Sequence, residues 1–541
     1  MRFSDRADTV QRLARESFDV VIIGGGINGA AIARDASLRG LAVALIERDD
    51  YAAGTSSRSS RLIHGGVRYL EHGYLHLVFE ASRERRVLLR TAPHLVRPLT
   101  FTWPVYRSAR LPRWKILAGL WLYDLLALFR NVKNHARLSP QDVLDREPAL
   151  ERAGLTGGAL YYDARTNDTR LTLANVIDAA DVGATVLNHA NVTGLVRDGA
   201  RAAGVTVHDA LGGTTLTVRA RCVVNAAGPW SDEVRRWDEP EHGARVRGTK
   251  GAHVEVPRDR IGNRDAVTLV SPVDGRVMFV LPSGRHTIIG TTDTDTTMSP
   301  EQVRATEDDV DYLLRSANGC FPTAKLVRAD VISAWAGIRP LIASGNTGAP
   351  ASASREHAIN VSETGVVSIS GGKLTTYRAM SAQVVDTVER AIGRRPTRCT
   401  TGTRPLPGGD FANLGDVERD AARTVGDVEV SAQLVATYGT HWREVWAHAE
   451  SDRTLAARLV PHLPVIGVQV VYAVLNEGAC TLADVLVRRT HLAFELRDQA
   501  RAIAPLVANL IAPHLGWTPA GVSAAVREWE REAERLFAIV A

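Results

Sequence analysis

Gly24, Gly26 and Gly29 stand in the spacing G-x-G-x-x-G, with Asn28 inside it, and Glu47 closes the next apolar run. Glycines so placed permit a tight turn and let backbone amides at a helix N-terminus approach a pyrophosphate. A carboxylate about 20 residues on accepts hydrogen bonds from the adenosine ribose and repels a 2′-phosphate. The chemistry is dinucleotide binding, without a choice between FAD and NAD. No second such motif follows, so one dinucleotide site serves the chain. Further donors come in "RDDYAAGTSSRSSR", with Thr55, Ser56, Ser57, Ser59, Ser60 and Arg61, and in "SSRLIHGGVRYLEHG", which sets Ile63, His64, Arg68 and Tyr69 around Gly65-Gly66. His64 and His253 have unperturbed pKa values near working pH and are candidate proton acceptors, with Lys373 as a third.

These residues need elements to hold them. "FDVVIIGGGINGAAIARDASLRGLAVALIER" reads as a strand (19–23), a turn, a helix (27–39) and a second strand (41–46), the βαβ context the motif requires. Further apolar runs at 220–228, 276–282, 286–293 and 365–372 end in small residues and read as strands, two of which bring Ala227, Gly228, Gly371 and Gly372 to their ends. The fold is α/β: a Rossmann-like nucleotide domain (18–95, 151–239 and 329–403), an inserted mixed-sheet substrate domain (96–150 and 240–328), and an all-helical C-terminal domain (412–541) after the Pro/Gly linker "RPLPGGDF".

Composition narrows the class. With 541 residues, 45% hydrophobic, the chain is ample for several domains with real cores. The four cysteines show neither CxxC nor Cys/His ligand spacing, so no metal or disulfide framework is expected. The charged N-terminus lacks a secretory signal. The apolar run at 114–129 is interrupted by Lys115 and Asp124 and is too short to span a bilayer. A net charge of +5 is mild and no nucleic-acid module stands out.

The blocks "VIIGGGINGAAIARDASLRG", "SSRLIHGGVRYLEHG", "VVNAAGPW", "TKGAHV", "IIGTTDTD", "GIRPL", "GGKLTTYR" and "LADVLVRRT" occur in the order seen in the FAD-dependent glycerol-3-phosphate dehydrogenases, and the resemblance covers nearly the whole chain. It implies oxidation of sn-glycerol 3-phosphate to dihydroxyacetone phosphate, with noncovalent FAD passing electrons to a membrane quinone. The enzyme would then be cytoplasmic, peripheral to the inner face of the cell membrane, and a possible homodimer. The sequence departs from the family at "LPSGRH", where a Trp often follows the Pro, and at His491, where an Arg is common. No EF-hand follows the helical domain.

The resemblance distributes roles. It places Arg339, between Gly337 and Pro340, beside the reacting carbon, where a permanent guanidinium charge steadies the developing oxygen anion. Lys373, with Gly371, Gly372, Leu374 and Thr375, would face the pyrimidine end of the flavin. Gly65-Gly66 would allow close approach beneath the flavin. Arg68 would clamp the substrate phosphate with Tyr69, and His253 or His64 would take the hydroxyl proton. Residues 106–137 bracket an apolar, Trp-bearing helix with basic side chains, which suits an anionic membrane surface or, equally, a buried interface. Two rival readings keep the flavin: a glycerol-3-phosphate oxidase using oxygen, and an oxidoreductase of amines or hydroxy acids. A third makes the chain an interaction subunit.

Overall fold

The computed structural model describes residues 5–109, 111–241, 243, 245–342 and 356–541. Ser17–Ile23 pairs in parallel with Val43–Ile46 on one side and Thr215–Asn225 on the other. The sheet they centre runs, in order, His357–Val361, Val367–Gly371, Thr215–Asn225, Ser17–Ile23, Val43–Ile46 and Thr185–Leu187. A hairpin, Ala190–Asp198 with Arg201–Asp209, extends it from Thr215–Asn225. Parallel strands covered on both faces read as unbroken apolar runs, and Val20, Val21 and Ile22 are fully buried. Helix Ile27–Leu38 lies against this sheet through Ala30, Ala33 and Ala36, whose small side chains allow the close helix–strand contact that a glycine turn demands.

The second sheet has ten strands, with Val246–Pro257 paired along its length to Ser333–Ile342, and Val96–Tyr106 to Leu155–Thr166. Leu62–Ile63, Leu155–Thr166 and Ser333–Ile342, expected in the nucleotide-binding portion, therefore hydrogen-bond into the other sheet. Apolar alternation identifies a strand and says nothing about its partner, so the sequence could not place these three crossings.

From Leu414 onward the described residues form helices, with isolated bridges only. One core, around Leu434, Trp442 and Val445, is internal to this region. Another is shared: Leu486, Phe494 and Trp529 pack with Phe101 and Trp335 of the second sheet. The helical region is fused to the substrate sheet by this common apolar interior.

Candidate active site

A cavity of about 600 Å³ reaches from the glycine turn to the second sheet. At its first end Gly24 adopts φ +105°, and a Cβ there would lie 2.7 Å from the carbonyl oxygen of Ala226. A Cβ at Gly29 would overlap the Gly24 carbonyl, so the third glycine serves helix–strand packing. Gly26 caps helix Ile27–Leu38 with no side-chain hydrogen bond, which leaves the helix N-terminus facing the cavity through backbone. Ser56 Oγ accepts the Ile27 amide at 3.0 Å.

Glu47 Oε2 accepts the Gly25 amide at 2.5 Å and Oε1 the Asp49 amide at 2.8 Å. Burial, with the Asp49 charge adding to it, pushes the Glu47 carboxyl up to about 7 against these bonds. A ribose hydroxyl would give this carboxyl a further partner. Turn, open helix N-terminus, carboxylate and a cavity continuing toward a distant sheet fit a flavin adenine dinucleotide.

At the far end, His253, Arg339, Lys373 and Tyr69 line the same cavity. His253 stacks on Trp335 with ring centroids 5.3 Å apart, and its Nε2 lies 2.8 Å from Ser60 Oγ. Burial first, then the charges of Arg339 and Arg61, push the His253 imidazole down to about 3. The ring is thus neutral at working pH, below the ordinary range from which it was selected, and a neutral ring is the form that accepts a proton.

Arg339 donates to Asp293 Oδ1 at 2.9 Å, Thr291 Oγ1 at 3.0 Å and the Thr292 carbonyl at 3.2 Å. A Cβ at Gly251 would overlap its guanidinium, and one at Gly290 would overlap the His253 ring. The glycines of "TKGAHV" and "IIGTTD" are therefore spaces for two charged or polar side chains of the site. Lys373 Nζ stands 3.6 Å from the Tyr69 ring centroid, a cation–π contact that aims the ammonium along the cavity wall.

Several residues picked from the sequence lie elsewhere than expected. Gly24, Gly26, Asn28, Glu47, Thr55 and Ser56 line the cavity, as do Ser59, Ser60, His64, Ala227, Gly228, Gly371, Gly372 and Leu374. Gly29, Ser57, Arg61, Ile63, Gly65, Gly66 and Thr375 are not part of its wall. Arg61, at φ +54°, turns its guanidinium over Trp335 and Phe494, at 5.4 and 4.9 Å, into the junction with the helical region.

Ile63 is fully buried in the second sheet, and Ser57 Oγ returns to the Gly54 carbonyl at 3.3 Å. Thr375 Oγ1 bonds both the amide and the carbonyl of His64 at 3.1 Å, tying two site loops together. Gly65 and Gly66 are small because the Tyr123 hydroxyl and the Tyr69 ring occupy the places of their side chains. The Arg68 side chain lies outside the described residues.

Sequence reasoning missed Arg58, Arg48, Asn191, Thr193 and Trp237, all of which line the cavity. Arg48 sits 4.6 Å over the Trp230 ring, and a basic residue just after Glu47 beside the quoted "GPW" was the available signal. Asn191 and Thr193 begin an ordinary hairpin strand and carried none.

Residues 19–378 match the family described as "FAD dependent oxidoreductase", and residues 399–522 the "C-terminal domain of alpha-glycerophosphate oxidase". The chain is 40% identical over 538 residues to "Glycerol-3-phosphate dehydrogenase 2" of Mycobacterium tuberculosis, covering 98% of this chain and 90% of that one. It is 38% identical over 518 residues to "Glycerol-3-phosphate dehydrogenase" of Synechocystis, covering 93% and 94%. The crystal structure of the glycerol-3-phosphate dehydrogenase from Bacillus halodurans complexed with FAD superimposes with a TM-score of 0.82 at 32% identity, covering 98% of this chain and 97% of that one.

Proposed function

The chain belongs to the FAD-dependent glycerol-3-phosphate dehydrogenase family, and from that premise we propose how its residues oxidise sn-glycerol 3-phosphate to dihydroxyacetone phosphate. The observation that carries the reading is the convergence of His253, Arg339, Lys373 and Tyr69 at one end of a cavity whose other end is a dinucleotide turn. FAD, held without a covalent bond, supplies the acceptor for the hydride leaving C2.

His253, neutral and facing Ser60, accepts the hydroxyl proton at Nε2. Arg339, braced by Asp293 and Thr291, steadies the negative charge that develops on the C2 oxygen. Arg68 and Tyr69 take the phosphate, and Lys373, expected at the flavin's pyrimidine end, adds its charge to that clamp from 3.6 Å over the Tyr69 ring. Unphosphorylated glycerol offers these groups no phosphate to bind in a partly buried site, a mismatch that polar sites turn into discrimination of about 10⁴.

The electron acceptor in this reading is a membrane quinone, reached from an anionic lipid surface. No helix among the described residues is long and apolar enough to cross a membrane. Helix Arg113–Leu126 buries Ile116, Leu120 and Tyr123 and leaves Trp114 66% and Trp121 53% exposed. Leu128 and Phe129 continue the apolar face, and Lys115, Arg130 and Lys133 are exposed beside it. Apolar rings beside cations suit the headgroup layer of an anionic bilayer.

Purified protein given sn-glycerol 3-phosphate should reduce a soluble quinone analogue far faster than it reduces oxygen, and glycerol should support neither. Peroxide formed in step with substrate, and unaffected by the quinone, would make the chain an oxidase instead. Trp121→Glu with Lys115→Glu should abolish sedimentation with phosphatidylglycerol liposomes; retained sedimentation would remove this helix from the membrane contact.

A further inference from the structure

The block "LADVLVRRT" has no place in the chemistry above, and its two arginines are nowhere near His253 or Arg339 in function. They are buried, in a helical region that ordinary fold reasoning treats as an appendage. Arg488 Nε donates to Asp50 Oδ2 at 2.6 Å; Arg489 donates to Oδ2 at 2.6 Å and to Oδ1 at 3.0 Å; and Asn188 Nδ2 donates to Oδ1 at 3.0 Å. Asp50 and the Arg489 side chain are both 0% exposed.

Asp484–Arg489 is a single π-helical turn, a rare geometry that tends to mark functional positions. Its wide winding turns two consecutive arginines to one carboxylate. The turn is itself braced: Asp484 Oδ1 accepts Arg488 at 2.5 Å, and Asp484 Oδ2 accepts His189 at 2.9 Å and the Cys480 amide at 2.8 Å.

Asp50 makes no cofactor wall, but the residues around it do, or support what does. Glu47 and Asp49 line the cavity. Tyr51 is buried beneath Gly25, where a Cβ would lie 2.8 Å from its ring, and the Ala52 amide returns to the Gly25 carbonyl at 3.1 Å. Ala52 holds φ +67°, a left-handed conformation that a non-glycine residue keeps only under constraint from its surroundings. Residues 47–52 thus wrap the turn expected to face the pyrophosphate, and among them Asp50 is a fully buried carboxylate held by two arginines of the helical region and by Asn188.

We propose that the C-terminal helical region is a working part of the dinucleotide site: Arg488 and Arg489 are positioning residues that act through Asp50 to hold the Glu47–Ala52 loop in its cofactor-binding shape. The proposal rests on FAD as the cofactor. It makes the helical region a determinant of FAD affinity although neither Arg488 nor Arg489 lines the cavity.

The test is fluorescence titration of FAD into stripped full-length protein, with the melting temperature of each apoprotein measured alongside. Wild type must first bind FAD; if it does not, the cofactor reading itself fails and the variants are moot. Arg489→Met should raise the FAD dissociation constant at least about tenfold, and Arg489→Lys, which keeps the charge and loses the fork, should fall between it and wild type. Val445→Ala, in the internal core of the helical region, should lower the apoprotein melting temperature with an unchanged dissociation constant.

Because Glu47 and Arg489 would act on one loop, the double variant Glu47→Gln with Arg489→Met should bind FAD more tightly than the product of the single effects predicts. Should Arg489→Met fail to fold, Arg489→Lys decides alone, by the same affinity. A lowered melting temperature with wild-type FAD affinity in the arginine variants, or full additivity with Glu47→Gln, would overturn the proposal and leave the arginines as scaffold.

Discussion

At the dinucleotide end of the cavity the turn, the helix N-terminus and the carboxylate come from one piece of chain, Ile23 to Asp49, with walls added by residues 190–193 and 226–237, whereas the reacting end draws His253, Arg339, Lys373 and Tyr69 from four separate segments. The first end works through backbone: a turn, helix amides and one carboxylate. The second works through side chains whose places are kept open by glycines elsewhere, Gly251 for Arg339 and Gly290 for His253. A backbone site fails when a methyl group enters it. A side-chain site degrades by degrees as each charge is moved or removed.

The largest effect expected is therefore at the first end. Gly29→Ala puts a Cβ into the Gly24 carbonyl, and the purified protein should retain less than about a tenth of the wild-type flavin absorbance. A yellow Gly29→Ala protein would break the contrast between the two ends.

Arg339→Lys comes next. A lysine keeps the charge and loses the fork that Asp293 and Thr291 brace, so kcat should fall about 10²- to 10³-fold at unchanged flavin content. A comparable rise in KM with kcat intact would move Arg339 from the reacting carbon to the phosphate. Lys373→Met should do the reverse, raising KM about 10- to 100-fold for the loss of a charge-assisted bond, with a smaller change in kcat measurable in the same assay.

The smallest effect separates the ends by pH. Glu47 has its pKa raised to about 7 by burial, above the unfolded value of about 4.5. The folded apoprotein then binds more protons than the unfolded chain between those values. Glu47 contributes stability below the unfolded pKa, and that contribution is lost as pH rises through about 7. Glu255 and Glu495, each pushed to about 7 mainly by burial, act in the same direction.

His253, depressed to about 3, acts oppositely: its stabilisation grows as pH rises from about 3 to its unfolded value. Glu47→Gln apoprotein should therefore lose about 2 °C less in melting temperature than wild type between pH 5.5 and 8.5. His253→Gln should lose about 1 °C more than wild type over that interval, because the histidine is neutral throughout it when folded but titrates within it when unfolded.

Legibility in the sequence follows the same division. The strand–turn–helix around Gly24, Gly26 and Gly29 was readable because every group involved is local and its spacing is the signal. His253, Arg339 and Lys373 were legible only as members of family blocks, since no spacing within one chain states that three distant segments converge.

Arg61 and Ile63 misled for a related reason: they sit inside a donor-rich stretch, but Leu62–Ile63 is a strand of the second sheet in which Ile63 is fully buried, and the left-handed Arg61 throws its side chain toward Trp335. Gly65 and Gly66 were read as room for a flavin, whereas the room is taken by Tyr123 and Tyr69. Small residues announce a close neighbour without naming it. Strand partners at Leu155–Thr166 and Ser333–Ile342 were hidden likewise, because pairing is a property of the assembled sheet.

The most direct test is anaerobic stopped-flow reduction of the purified yellow protein by sn-glycerol 3-phosphate, followed through the flavin absorbance. Wild type should bleach fully at saturating substrate, glycerol should leave the spectrum unchanged, and Arg339→Lys should bleach to the same end point with a rate constant about 10²- to 10³-fold lower. A wild-type flavin that stays oxidised under saturating sn-glycerol 3-phosphate, or an Arg339→Lys protein that bleaches at the wild-type rate, would contradict the assignment of this site.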